Sequence, residues 1–199
     1  MNILIFTDLH QDFESYDILL DKSKKADHII CLGDFTFFNH NLELMLELIN
    51  NLGNKTRKVY LIHGNHEQVE HVKIYTEHFE NIIFVHNSII TIDTLTAVFF
   101  GGGGFASREP DFEKLVRKHK DVLHNAKDII LCTHAPPRDT ILDEVHERHV
   151  GVKDFKDFIE KYEPVLAVSG HIEEHAKEKQ VIGKTLVTNP GEDGEIFEL

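Results

Sequence analysis

Asn2-Ile3-Leu4-Ile5-Phe6-Thr7-Asp8-Leu9-His10 is an apolar run that stops on a carboxylate and an imidazole. Near-continuous hydrophobicity over so short a stretch fits a strand covered on both faces. The same grammar returns along the chain. Residues 28–32 run into Gly33-Asp34, and residues 58–62 run into Gly64-Asn65-His66-Glu67. Later, residues 129–132 lead to Thr133-His134 and residues 165–168 lead to Gly170-His171-Ile172-Glu173. Between the early strands, residues 13–24, 41–52 and 69–79 are amphipathic at helical period. Strand and helix in alternation imply βαβ units and a largely parallel sheet. Each polar cluster then falls just past the C-terminal end of a strand, the edge at which open α/β sheets bind ligands.

From residue 81 the texture changes. Residues 82–85, 89–92 and 95–100 are apolar runs separated by short turns, which reads as antiparallel β structure and excludes a simple doubly wound sheet. Helices are expected at 111–123 and 152–162, and strands near 180–182, 185–188 and 195–199. The expected class is α/β with α+β character, in one domain spanning residues 1–199, since this length suits a single well-buried core.

Composition narrows the function. With 41% hydrophobic and 28% charged residues the chain is globular rather than disordered or coiled-coil. The net charge of -13 would repel a polyanion, which disfavours a nucleic-acid partner. The first residues carry no basic leader and no apolar run reaches membrane-spanning length, so no membrane partner is expected and the cytosol is the expected location. Cys31 and Cys132 each lie inside an apolar run and read as buried free thiols. Many of the 15 histidines, such as His78, His119, His124 and His146, sit among charged residues and read as solvated side chains.

The clusters themselves carry the chemistry. Asp8 and His10 are one residue apart, so an extended segment would turn both to one face and let them hold one ion. The Asp34 carboxylate has two oxygens and can bridge two ions. Asn65, His134 and His171 would complete the other ion's ligands, an oxygen–nitrogen set suited to manganese, iron or zinc, as divalent or mixed-valence ions. Two metals roughly 3.5–4 Å apart stabilise the attacking and leaving oxygens of a phosphoryl displacement and supply hydroxide at neutral pH. His66, next to Asn65, would face the substrate and protonate the leaving alcohol.

In order and type these blocks resemble the calcineurin-like metallophosphoesterases, whose motifs are D-x-H, G-D, G-N-H-[DE], an isolated histidine and G-H-x-H. They span residues 8 to 173 here. The resemblance implies a sandwich of two mixed β-sheets flanked by helices, with a dinuclear metal site at one edge. It places Asp8, His10 and Asp34 on the first metal, Asp34, Asn65, His134 and His171 on the second, and His66 as proton donor. The implied activity is hydrolysis of a small phosphate ester, a diester in preference to a monoester. A non-catalytic binding module on the same fold is the alternative, and a nuclease a third reading that the acidic charge weakens.

The last block departs from the pattern. The second histidine of G-H-x-H, a ligand to the first metal, falls on Glu173. Glu173 is the favoured replacement; His175, two residues further along an assumed extended segment, is the competing one, and a weakened or vacant ligand position is the remaining alternative. A glutamate in place of a neutral histidine removes one unit of the site's positive charge, which lowers stabilisation of a phosphate transition state. Other features admit two readings each. Gly101 to Gly104 fits either a plain bend or a backbone approach to phosphate. Phe35-Thr36-Phe37-Phe38 fits core packing, a pocket wall or a subunit contact. In longer relatives an acidic residue often stands where Phe37 does, so an orienting partner for His66 is not evident. Arg108 and Arg138 are candidate phosphate contacts, with surface solvation the plainer reading.

Overall fold

Strand β1 (Asn2–Phe6) shows why its sequence is apolar throughout: Ile3 and Ile5 enter one core layer while Leu4 and Phe6 enter another. The computed structural model describes residues 1–104 and 106–199. The elements that follow β1 are α1 (Phe13–Ser23), β2 (His28–Cys31), α2 (Leu42–Leu52), β3 (Val59–Leu61), α3 (Val69–Thr76) and β4 (Ile82–Phe84). Next come β5 (Ser88–Ile92), β6 (Leu95–Phe100), α4 (Pro110–Lys118), α5 (Lys120–Asn125), β7 (Ile129–Thr133) and the short hairpin β8 (Glu144–Val145) and β9 (Arg148–His149). The chain ends with α6 (Lys153–Tyr162), β10 (Leu166–Val168), β11 (Lys179–Ile182), β12 (Thr185–Thr188) and β13 (Glu195–Glu198).

Two mixed sheets result. The first runs β13-β1-β2-β3-β4, with β1 to β4 parallel and β13 antiparallel at the edge. The second runs β11-β12-β10-β7-β6-β5, with four central parallel strands and antiparallel edges. Ile3, Ile5 and Ile30 from the first sheet, with Ile62 just past β3, meet Ala97, Phe99, Ile130, Leu166 and Val168 from the second in a shared central layer. The outer face of the first sheet packs on α1, α2 and α3, and that of the second on α4, α5 and α6. This is the expected sandwich flanked by helices. Ile5 and Ile30 are fully buried, and truncation of either to alanine costs about 2–5 kcal/mol.

Local chemistry sets the boundaries. Asp12 caps α1 by accepting the Glu14 N–H, and Asn41 precedes α2 in the left-handed region. Two expectations change, and one region adds elements not foreseen. β4 is not antiparallel but extends the parallel set beside β3, because α3 is long enough to return the chain; only β5 and β6 form the antiparallel hairpin of that stretch. The single helix expected over 111–123 is two, broken at His119 (φ -110, ψ 20). Residues 135–152 hold the β8–β9 hairpin and a 3-10 turn at Ile141–Asp143, neither visible in hydrophobic periodicity. Among the described residues no helix is long and apolar enough to cross a membrane. Cys31 and Cys132 are buried and unpaired, and burial raises both thiol pKa values.

Candidate metal centre

The loops after β1, β2, β3, β7 and β10 meet at one edge, and their contacts are main-chain first. The Asp8 N–H donates to the Gly33 carbonyl and the His10 N–H to the Asp34 carbonyl, both at 3.0 Å, which docks the first loop on the second. A Cβ on Gly33, which sits at φ +94, would collide with the Gly64 backbone, so the second and third loops touch through two glycines. Glu67 binds these loops together. Its buried carboxylate accepts the N–H groups of Asp34, Thr36 and Gly64 and the Thr36 hydroxyl, all at 2.8–2.9 Å. The Gly170 N–H closes the ring of loops on the His134 carbonyl at 2.9 Å.

Asp34 is the hub. Its Oδ2 lies 3.3 Å from His134 Nε2, 3.9 Å from His10 Nε2 and 4.0 Å from His66 Nε2. Two groups of ligand atoms share this carboxylate: His10, Asp34 and His66 on one side, and Asp34, His134 and His171 on the other. Asn65 Oδ1 joins the second group, 2.9 Å from His134 Nε2 and 2.7 Å from His171 Nδ1. Asp8 belongs to neither group; its carboxylate accepts from the Thr7 hydroxyl at 2.8 Å and the His171 N–H at 3.0 Å. Glu173 Oε1 reaches His10 Nε2 at 3.2 Å. His175 turns away: residues Glu173–His175 form a 3-10 turn rather than an extended segment, and its ring bonds the Glu178 carboxylate at 2.8 Å and the Glu144 carbonyl at 2.7 Å. The site therefore brings together Asp8, His10, Asp34, Asn65, His66, His134, His171 and Glu173, and leaves His175 out.

Asp8 and His10 converge for a reason other than the one expected. The segment is not extended; Asp8, His10 and Gln11 have φ of 52, 43 and 63, so a left-handed turn aims the two side chains. Such backbone is sparsely populated by non-glycine residues and is found where a site demands it.

The donor set fits metal ions. His10 Nδ1 donates to the Thr36 carbonyl and His134 Nδ1 to the Leu32 carbonyl, each at 2.9 Å, while His171 hydrogen-bonds the Gly104 backbone. Each ring is thus oriented by the main chain on one nitrogen and presents the other to the centre, as metal-binding imidazoles are. Burial, reinforced by the charge of His134, holds the His171 ring down at about 4, so the ring is neutral, with its Nδ1 2.7 Å from the Asn65 oxygen. Burial also lifts the Asp8 carboxyl to about 6. In the Asp34–His134 pair the desolvation of both groups is outweighed by their hydrogen bond and opposite charges, leaving Asp34 at about 2 and His134 at about 9. Burial lowers the His66 pKa, and its Nδ1 has no hydrogen-bond partner among the described residues.

Neighbouring features sort themselves. Phe35 is core, whereas Phe37 and Phe38 are exposed and lie against the His66 ring at 5.3 and 4.2 Å. Gly104 packs so closely on His171 that no side chain fits there, so the glycine run serves the site as well as the bend. Arg108 is held by Asp154, Glu113 and Asp157, and Arg138 lies 3.7 Å from Asp139. A groove of about 370 Å³ along α4 and α6 contains none of the candidate residues. Reading the residues one by one missed Glu67, which bonds loops distant in sequence, and Thr7, whose hydroxyl bonds the neighbouring Asp8 carboxylate; the place of Glu67 inside the G-N-H-E block was the available signal.

The profile described as calcineurin-like phosphoesterase matches residues 1–174. The chain is 28% identical over 206 residues to an uncharacterized protein of Methanocaldococcus jannaschii, covering 96% of this chain and 88% of that one. Among solved structures it resembles the TT1561 protein of Thermus thermophilus, with a TM-score of 0.74 at 13% identity over 96% of this chain and 89% of that one. It also resembles a structure described as a novel archaeal phosphodiesterase, at TM-score 0.55 and 17% identity over 96% and 84%. A dimetal phosphatase from Danio rerio matches at TM-score 0.55 and 9% identity over 95% and 86%.

Proposed function

The chain belongs to the calcineurin-like phosphoesterase family, and from that premise we propose that it hydrolyses a small phosphodiester at a dinuclear metal centre. In this reading Asp8, His10, Asp34 and Glu173 hold one ion, and Asp34, Asn65, His134 and His171 the other. The observation that carries it is the position of Asp34 Oδ2 between His134 Nε2 at 3.3 Å and His10 Nε2 at 3.9 Å, which suits a carboxylate shared by two ions. The bound ions supply Lewis acidity and a nucleophile drawn from water. His66 hands a proton to the leaving alcohol from Nε2, the nitrogen that faces Asp34. Its backbone N–H, donating to Asp34 Oδ1 at 2.8 Å, ties the proton donor to the shared carboxylate. Glu173 adds negative charge beside His10, which supports a diester monoanion over a monoester dianion.

The test is an assay of bis(4-nitrophenyl) phosphate against 4-nitrophenyl phosphate with manganese, iron, zinc and magnesium, alongside Asp34→Asn and His66→Gln. The diester is expected to turn over faster, and each substitution to lower the rate about a hundredfold or more. Activity that survives both substitutions overturns the assignment.

A further inference from the structure

Phe37 and Phe38 are 53% and 64% exposed, yet they sit in a tightly hydrogen-bonded turn. Phe38 has φ +50 and Asn39 φ +61, left-handed backbone that a bulky aromatic residue rarely adopts. The turn is braced to keep it. The Asn39 N–H donates to the His66 carbonyl at 3.1 Å and to the Thr36 hydroxyl at 3.2 Å, the His40 N–H to the Phe37 carbonyl at 3.0 Å, and the Gln68 N–H to Asn39 Oδ1 at 3.0 Å. The bracing delivers two rings to the metal edge. Phe38 stacks on His66 at 4.2 Å and 22°, and Phe37 meets His10 edge-on at 5.5 Å and Phe38 edge-on at 5.6 Å.

A cover for His66 would need one ring, buried. Here two rings are presented, and Phe38 is mostly solvent-exposed even though one face lies on the imidazole. Aromatic faces contribute nothing to holding a phosphate, but they bind planar rings by stacking, with little regard to the ring's substituents. Since Phe38 lies on the ring read above as the proton donor, an occupant of this platform belongs to the leaving-group side of the ester. We infer that Phe37 and Phe38 form an aromatic subsite that selects phosphoesters whose leaving alcohol carries a planar ring, an aryl group or a nucleobase. The inference rests on the phosphoesterase reading for its reaction, and on the geometry alone for its ligand.

The experiment separates the two. Manganese-loaded protein is titrated calorimetrically with phenylphosphonate and with cyclohexylphosphonate, equal in charge and similar in size but different in planarity. A second pair, adenosine 5′-monophosphate and ribose 5-phosphate, distinguishes a nucleobase from a simple aryl ring. Wild type is expected to prefer the planar member of at least one pair about tenfold. Phe38→Leu and Phe37→Leu, which keep apolar bulk without a ring, are expected to bring that ratio towards one while the metal stoichiometry is unchanged. Ratios near one for both pairs in wild type, a ratio that persists in both variants, or no binding of any of the four compounds overturns the subsite. A planar preference in a protein that hydrolyses no phosphoester keeps the subsite and removes the phosphoesterase reading; hydrolysis without the preference does the reverse.

Discussion

Glu67 holds Asp34 by its backbone: the Asp34 N–H donates to Glu67 Oε2 at 2.9 Å, and the same oxygen takes the Gly64 N–H at 2.9 Å. The shared carboxylate of the site is therefore positioned by a second, buried carboxylate bonded to its own main chain. In Glu67→Gln an NH2 group must replace one oxygen and confront two donors. The variant is expected to lose about 2–3 kcal/mol in urea unfolding and to bind metal about 10–100-fold more weakly. Unchanged values in both measurements would contradict the clamp.

Glu173 stands beside His10, with 3.2 Å between Oε1 and Nε2. Replacing it with histidine restores one unit of positive charge when two ions are bound. Glu173→His is expected to raise turnover with manganese or zinc about tenfold, and Glu173→Ala to lower metal occupancy. A Glu173→His protein that gains neither rate nor occupancy removes this account of the substitution.

Metal uptake should release protons, in an amount that depends on pH. His134, raised to about 9 beside Asp34, carries a proton at neutral pH that must leave before its Nε2 can ligate. Asp8, raised to about 6, contributes a second below neutrality. The sign follows: apparent affinity rises with pH until the metal-free His134 is itself deprotonated. Calorimetry in buffers of different ionisation enthalpy should show about one proton released per site at pH 7, more at pH 6 and about half at pH 9. Release that does not vary with pH would show that this pair does not govern binding.

Gly104 adopts φ +88 against the His171 ring. Gly104→Ala strains the backbone and drives a methyl group into that ring, so metal affinity is expected to fall about tenfold, most strongly for the ion proposed at His134, Asn65 and His171. Metal competition with a chromophoric chelator measures this directly. Wild-type affinity in the variant would mean that the loop moves aside.

The strands that carry the site were legible because burial on both faces leaves continuous apolar runs, as in Asn2–Phe6 and Ile129–Thr133. The ligand candidates were legible because each follows such a run. β4 was misread because direction leaves no mark in composition; α3 decides it by returning the chain. Asp8 and His10 were paired for the wrong geometric reason, since positive φ at non-glycine residues is imposed by contacts with the Gly33–Asp34 turn. His175 was a rival to Glu173 only while their segment was taken as extended.

The sequence by itself determined the α/β class and the polar clusters that follow the strands, because periodicity and the order of motifs are local properties, while the two-sheet sandwich was implied only by the family resemblance. The tertiary structure decided that Asp34 stands between two imidazole groups, that Glu173 rather than His175 faces the centre, and that Phe37 and Phe38 flank His66. Those outcomes depend on hydrogen bonds between loops distant in the chain, such as Glu67 to Thr36 and His134 to Leu32, and such bonds exist only once both sheets have packed.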